Sequence, residues 1–204
     1  MVEKGETIMN VQVKSSNGIT LMPAETKLLE TNRCIFLEGE INQESALEFV
    51  KSLMILVAAD NEKPVNVLVN SPGGEINAGM LIYDAIHSSI VPVRMFCLGR
   101  AYSMGALLFL SGEHGRYMLK NSELMLHEPL IGGKVGGNTT SIKELSDSLI
   151  KTRDKLNKII SQYSGKTVEE VEKATDHDHF YSAEESLEFG LCDEIVEFSK
   201  IMEG

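Results

Sequence analysis

Two apolar runs, each closed by a glycine-bearing turn and followed by a helical pattern, constrain this chain more than any other feature. Val65-Asn66-Val67-Leu68-Val69 stops at Asn70-Ser71-Pro72-Gly73-Gly74, and the pattern predicts a helix from about Asn77 to Ser89. Val91 to Leu98 reads as the next strand, closed by Gly99, with a further helix from about Ser103 to Leu110. Strands alternating with helices at this spacing predict parallel βαβ units with right-handed crossovers, and so the α/β class.

The alternation extends to both sides. Cys34-Ile35-Phe36-Leu37 is a compact buried-strand candidate. Ala46, Phe49, Val50, Leu53, Leu56 and Val57 then form one apolar stripe on a helix that Asn42 can cap and whose first turn Glu44 favours. Short strands are expected at Arg116–Leu119 and Glu123–Leu126, short helices at Val168–Thr175 and Ala183–Phe189, and a final strand over Cys192–Val196. From near Thr139 a long helix carries Ile142, Leu149, Leu156 and Tyr163 at seven-residue steps, with Leu145 and Ile159 beside them. That stripe packs on the domain's own sheet or on another subunit, and the pattern does not choose. Near the N-terminus, Val11–Val13 and Ile19–Leu21 flank Asn17-Gly18, a dipeptide suited to a type I′ turn; a small hairpin and a polar arm both fit.

Composition removes some functions. A chain of 204 residues, 43% of them hydrophobic, suffices for one domain with a substantial core. The formal net charge is −11 with no Lys/Arg block, which disfavours nucleic acid as a partner. Cys34, Cys97 and Cys192 are far apart and form no CxxC pair, so buried thiols in a reducing compartment are expected, with no metal site. The polar start Met1-Val2-Glu3-Lys4-Gly5-Glu6 lacks a signal-peptide core, and apolar stretches such as Ala106–Leu110 are too short to span a bilayer; a cytoplasmic location is expected.

Chemistry concentrates at the glycine-rich strand ends, where open α/β sheets form their sites. Gly99-Arg100-Ala101-Tyr102-Ser103-Met104-Gly105 puts Ser103 at the start of a helix, beside backbone N–H groups able to receive an oxyanion. A plain helix N-cap is the alternative for Ser103. A phosphate cradle is a weaker third, since neither turn matches GxxxxGK[ST] or GxGxxG. A serine nucleophile needs a base, and the base an orienting carboxylate. Among five histidines, His127 ends the apolar run Leu124-Met125-Leu126 just before Glu128-Pro129, where it can face a cleft. His87 and His114 look solvent-exposed, and His177 and His179 flank Asp178 without a second cluster to complete a metal site.

Taken together these segments resemble the Clp protease proteolytic-subunit (ClpP) family. Asn70–Gly74 followed by Ala78-Gly79-Met80-Leu81-Ile82-Tyr83-Asp84 resembles its substrate-groove signature. Tyr102-Ser103-Met104-Gly105-Ala106 is similar to its nucleophile box, and Leu124–Pro129 to its histidine box. Asp176–Glu185 followed by Phe189-Gly190-Leu191 is similar to its aspartate box, and the likeness runs from about residue 32 to about residue 197. The resemblance implies a ClpP/crotonase-type α/β fold of repeated βαβ units, with a handle over about 131–163 protruding from a single peptidase domain at 32–204. It implies a possible axial hairpin within residues 1–31. It implies Ser103 as nucleophile, His127 as general base, Asp178 as the orienting carboxylate, and the backbone N–H groups of Gly74 and Met104 as oxyanion hole. An extended substrate would contact Gly73, Glu75 and Ile76 on one side and Leu130, Ile131 and Gly132 on the other.

The implied assembly is a double heptameric ring fed by a separate AAA+ unfoldase of the ClpX/ClpA/ClpC type. That partner uses the ATP, and this chain needs no cofactor. Some positions depart from the family. Asn66 and Leu68 stand where tyrosines usually help to dock the ATPase, which puts standard docking in doubt. His177 replaces an arginine commonly used between rings, Glu128 replaces glutamine, and Tyr102 replaces a small residue beside the nucleophile. A ClpP-like subunit with little activity of its own and a crotonase-type acyl-CoA enzyme are the alternative readings.

Overall fold

The computed structural model describes residues 9–15, 18–132 and 136–202. The polar start Met1–Glu6, Asn17 of the turn dipeptide and the middle of the Ile131–Gly137 glycine segment lie outside the described residues.

A seven-stranded sheet holds the molecule together. Its main path runs β3 (Cys34–Ile41), β4 (Val65–Gly74), β5 (Val93–Tyr102), β6 (Arg116–Leu119) and β9 (Glu194–Val196), every neighbouring pair parallel. β7 (Glu123–Leu126) leaves this path by pairing in parallel with the far end of β5, and β8 (His179–Ser182) pairs antiparallel with β7. The α/β architecture of repeated βαβ units expected from the sequence is the one observed. β4 explains why: Val65, Val67 and Val69 are fully buried, and Asn66 and Leu68 are buried too. A strand covered on both faces needs helices on both sides.

The crossover helices supply that cover. α2 (Gln43–Ala59) buries Ala46, Phe49, Leu53 and Leu56, and Asn42 caps it in a reciprocal box with Ser45. α3 (Ile76–His87) buries Ala78, Ile82, Tyr83 and Ile86, and every residue of α4 (Met104–Leu110) is buried. α6 (Val168–Thr175) and α7 (Ala183–Phe189) coincide with the predicted segments, each opened by a capping box, Thr167 with Glu170 and Ser182 with Glu185.

A helix and a strand within the fold were not anticipated. α1 (Ala24–Asn32) buries none of its residues, so it lacks the apolar stripe that announces a helix. β8 is short, and its pairing with β7 is a tertiary contact that local pattern does not encode. The strands β4 and β5 also run on through their glycine turns to Gly74 and Tyr102 rather than stopping at Val69 and Leu98. At the N-terminal side, β1 (Asn10–Ser15) and β2 (Gly18–Pro23) pair antiparallel as a hairpin.

The long helix α5 (Thr139–Ser164) has two environments. Its C-terminal half packs Leu156, Ile159, Ile160 and Tyr163 on the core. Its N-terminal half stands free of the core, with Ile142, Leu145 and Ile150 exposed at 48%, 38% and 45%. The stripe predicted from the sequence is therefore split, and only its lower part rests on the domain's own core. Among the described residues no helix is long and apolar enough to cross a membrane.

Candidate active site

Parallel pairing of β5 with β7 matches Tyr102 with Met125, so Ser103 and His127 leave adjacent strand ends close together. The Ser103 N–H donates to the Met125 carbonyl at 2.8 Å, which fixes this register at the site itself. Ser103 has φ 53° and ψ −120°, a positive-φ backbone that a side chain adopts at a cost. It occupies the position before α4, yet its side chain makes no capping bond. Its Oγ instead lies 2.7 Å from His127 Nε2. The N-cap alternative for Ser103 is thereby set aside.

His127 is held from behind. The Glu128 N–H donates to the Thr175 carbonyl at 2.6 Å, tying the end of β7 to the end of α6. Asp178 follows in the next turn of chain, and its Oδ1 lies 3.2 Å from His127 Nδ1. That separation is within ion-pair range, but Nδ1 is buried without a properly aligned hydrogen-bond partner. The Asp178 side chain is 61% exposed against 14% for His127, so solvent competes for its carboxylate. The three predicted residues are together, with the serine–histidine contact formed and the histidine–aspartate contact out of line.

Gly73 sets how closely the Asn70–Gly74 turn approaches the serine. A Cβ there would lie 2.7 Å from the Tyr102 carbonyl oxygen and 2.8 Å from Ser103 Cβ. The Gly73 N–H is already donated to Ser71 Oγ at 3.1 Å, and the Glu75 N–H to the Ile41 carbonyl at 2.8 Å. Met104 is the first residue of α4, so helix geometry gives its N–H no intrahelical partner.

A cavity of about 270 Å³ opens beside Ser103 and His127. Of the residues expected to bind substrate, Ile76, Leu130 and Gly132 line it together with Gly74 and Met104. Gly73, Glu75 and Ile131 are not part of its wall. Glu128 and Pro129 line it as well, and so do Leu107, Leu126, Leu156, Ile160 and Asn157, which were not singled out from the sequence as substrate contacts. The last three belong to α5 and reach the site only through its packing, although Leu156 lay on the predicted stripe.

Tyr102, the bulky neighbour of the serine, is accommodated on the other side. Its Oη donates to Glu123 Oε1 at 2.5 Å, and its ring meets Phe180 edge-on at 5.6 Å. It thereby links the strand that carries Ser103 to the strand that follows Asp178. The Glu123 carboxylate, and some burial, hold the Tyr102 phenol above its ordinary pKa.

The remaining histidines are placed elsewhere. His87 Nδ1 is 2.9 Å from Glu113 Oε1, His177 contacts the Asp176 carboxylate, and His179 stacks on Tyr181 at 4.3 Å. Among the described residues no group of three or more His, Cys, Asp or Glu side chains is placed to hold a metal ion. The three cysteines are free and buried, as their strand contexts suggested for Cys34 and Cys97. Burial pushes the Cys97 thiol up to about 12 and the Cys192 thiol up to about 11, and raises that of Cys34.

Comparison with known proteins agrees with this architecture and extends over nearly the whole chain. The family model described as Clp protease matches residues 21–199, a span that includes the sheet from β3 to β9 and all the residues around Ser103. With nine-tenths of its sequence accounted for in this way, the chain belongs to the Clp protease family.

Proposed function

We propose that this protein is a serine endopeptidase that hydrolyses unfolded polypeptides through an acyl-enzyme. Its family is one of peptidases that assemble as oligomers with Clp ATPases. The observation that carries the reading is the 2.7 Å contact between Ser103 Oγ and His127 Nε2. With the proton on Nδ1, Nε2 accepts from the serine hydroxyl, the arrangement a nucleophile–base pair needs.

Ser103 Oγ attacks the scissile carbonyl carbon while His127 Nε2 takes its proton. The C–N bond then breaks as the imidazolium returns that proton to the leaving amine. Water, deprotonated by the same nitrogen, then adds to the acyl carbon, and the bond to Ser103 Oγ breaks as the imidazolium gives that proton back to the serine oxygen. Asp178 stabilises the imidazolium and holds the Nδ1–H tautomer, and a small rotation of its exposed carboxylate brings the 3.2 Å contact into line once substrate is bound. The Gly74 and Met104 N–H groups receive the oxyanion, with Gly73 as the spacer that allows the turn to come so near. The peptide lies extended between the chain at Gly74–Asn77 and that at Leu130–Gly132, added as a strand.

The chamber is a double heptameric ring in the cytoplasm. The exposed apolar residues on the free half of α5 support a helix that meets a second copy of this chain. An AAA+ unfoldase supplies the ATP-driven step. Asn66 and Leu68 are both buried, with Asn66 donating to the Ile201 carbonyl at 3.4 Å, so neither offers ring surface for docking. A subunit of low intrinsic activity is the second reading, favoured by the out-of-line Asp178.

Hydrolysis of short fluorogenic peptides tests the proposal. Wild type cleaves them, and Ser103→Ala and His127→Ala each lose about 10³-fold or more in kcat/KM. Turnover that persists in Ser103→Ala contradicts it. Turnover that the wild type gains only when mixed with an active homologue supports the second reading.

A further inference from the structure

Tyr102, Met125 and Phe180 lie in one row across three strands. The register of β5 with β7 pairs Tyr102 with Met125, and that of β7 with β8 pairs Met125 with Phe180. Partners in such a row share a face of the sheet, and the rings of Tyr102 and Phe180 meet edge-on at 5.6 Å. Each residue of the row is close in sequence to a member of the triad: Tyr102 directly precedes Ser103, Met125 stands two before His127, and Phe180 two after Asp178. The segment that carries Asp178 is held unequally at its two ends. On the α6 side the Thr175 carbonyl accepts from the Glu128 N–H at 2.6 Å. On the other side stands β8, four residues long, whose only strand partner among the described residues is β7. Phe180 is itself 49% exposed, and a short edge strand with little buried surface opens easily. The Tyr102 ring carries the attachment one strand further, to β5, and the bond from its Oη to Glu123 Oε1 at 2.5 Å sets the direction of the ring.

We propose that Tyr102 is a positioning residue for the third member of the triad: by clamping Phe180 it keeps the Asp178 carboxylate within reach of His127 Nδ1. The proposal rests on the peptidase reading given above. Asp178 is 61% exposed, and at 3.2 Å from Nδ1 its contact is out of line, so a small shift of β8 decides whether the bond forms. Without the ring, β8 is free to move away from β7 at its Phe180 end, and Asp178 moves with it. His127 then loses the charge that stabilises its imidazolium, in acylation and in deacylation alike. The loss falls on kcat. Tyr102 is not part of the wall of the cavity beside Ser103, so substrate binding is not what it serves.

The test uses the full-length protein, assembled as it purifies, with a quenched peptide as substrate and fluorophosphonate labelling of Ser103 as a second readout. Tyr102→Ala is expected to lower kcat about tenfold with KM almost unchanged, and to slow labelling to match. Tyr102→Phe keeps the ring and is expected to recover most of that loss. Phe180→Ala is expected to match Tyr102→Ala, and the double variant to lose no more than either. In an Asp178→Ala background neither substitution should slow labelling further. A role that is merely structural would lower labelling by the same factor with and without Asp178, which overturns the proposal. A rise in KM with kcat kept also overturns it. Phe180 is half-exposed, so its variant decides the matter if Tyr102→Ala does not fold. Turnover by Tyr102→Ala within about twofold of wild type keeps the peptidase reading while sinking the proposal. Wild type that neither cleaves the peptide nor takes an adduct on Ser103 overturns both.

Discussion

At Gly73 the site has no room for a methyl group. An added Cβ would press on the Tyr102 carbonyl and on Ser103 itself, and the φ of +93° already strains any residue with a side chain. Gly73→Ala is therefore expected to displace the serine more than it unfolds the protein. Kcat/KM should fall about 10²-fold, as a misplacement of about 1 Å can do, while the circular dichroism spectrum is kept. Activity within twofold of wild type would show that the turn does not set the serine's position. The cysteines give a second check. With all three thiols buried and raised in pKa, native protein at pH 8 should resist Ellman's reagent, and the thiols should react together on unfolding. Rapid reaction of a native thiol would contradict the packing described for β3, β5 and the segment after α7. Ser103 and His127 each end an apolar run, but local pattern left both with a plainer reading, and it was the likeness to the Clp protease boxes that singled them out. Asn157 was not legible in the sequence, because an asparagine on a helix otherwise rich in charge reads as a solvated residue until the packing of α5 is known.

Elements were legible where an apolar period and a cap coincided, as in α2, where Asn42 and the Phe49–Leu53–Leu56 stripe agree. α1 shows the reverse. None of its residues is fully buried, with Leu28 and Leu29 only half-buried against the core, and it ends in Arg33 at φ 51°, a left-handed conformation that no glycine marks in the sequence. Arg33 compensates with its side chain. The guanidinium donates to the carbonyls of Leu56, Asp60, Lys63 and Pro64, closing the end of α2 against the start of β4. Arg33→Ala is expected to destabilise the fold by roughly 2–3 kcal/mol, read as a lower urea midpoint. Arg33→Gly, which relieves the backbone, should recover part of that loss. Equal midpoints for wild type and Arg33→Ala would remove this account of the junction. Asp60 adds a pH-dependent part at the same turn. Backbone N–H groups of Glu62 and Lys63 and the Lys63 ammonium hold its carboxyl down to about 2 from 3.8. Its contribution is present above the higher value and lost as the pH falls through the lower one. Asp60→Asn should therefore narrow the stability difference between pH 5 and pH 2.

For the whole molecule, the sheet joins distant segments at one point: β5 brings the serine, β7 the histidine, and the chain between α6 and β8 the aspartate. The parallel order of that sheet was legible from alternating strands and helices. The course of β7 and β8 away from its main path was not, because four-residue strands are chosen by their neighbours. The split environment of α5 marks what the single chain leaves unfinished. Ile142→Glu with Leu145→Glu should leave the thermal transition of the isolated chain almost unmoved, since both residues are exposed, yet shift sedimentation toward smaller species. Unchanged sedimentation would assign that apolar surface another role. The central claim is that the hydroxyl of residue 103 is made nucleophilic by the imidazole of residue 127. The most direct measurement is fluorophosphonate modification followed by peptide mapping of wild type and His127→Ala. A single adduct on Ser103 that forms in wild type and is lost in His127→Ala is the expected result; an adduct on any other serine, or equal modification of both proteins, would contradict it.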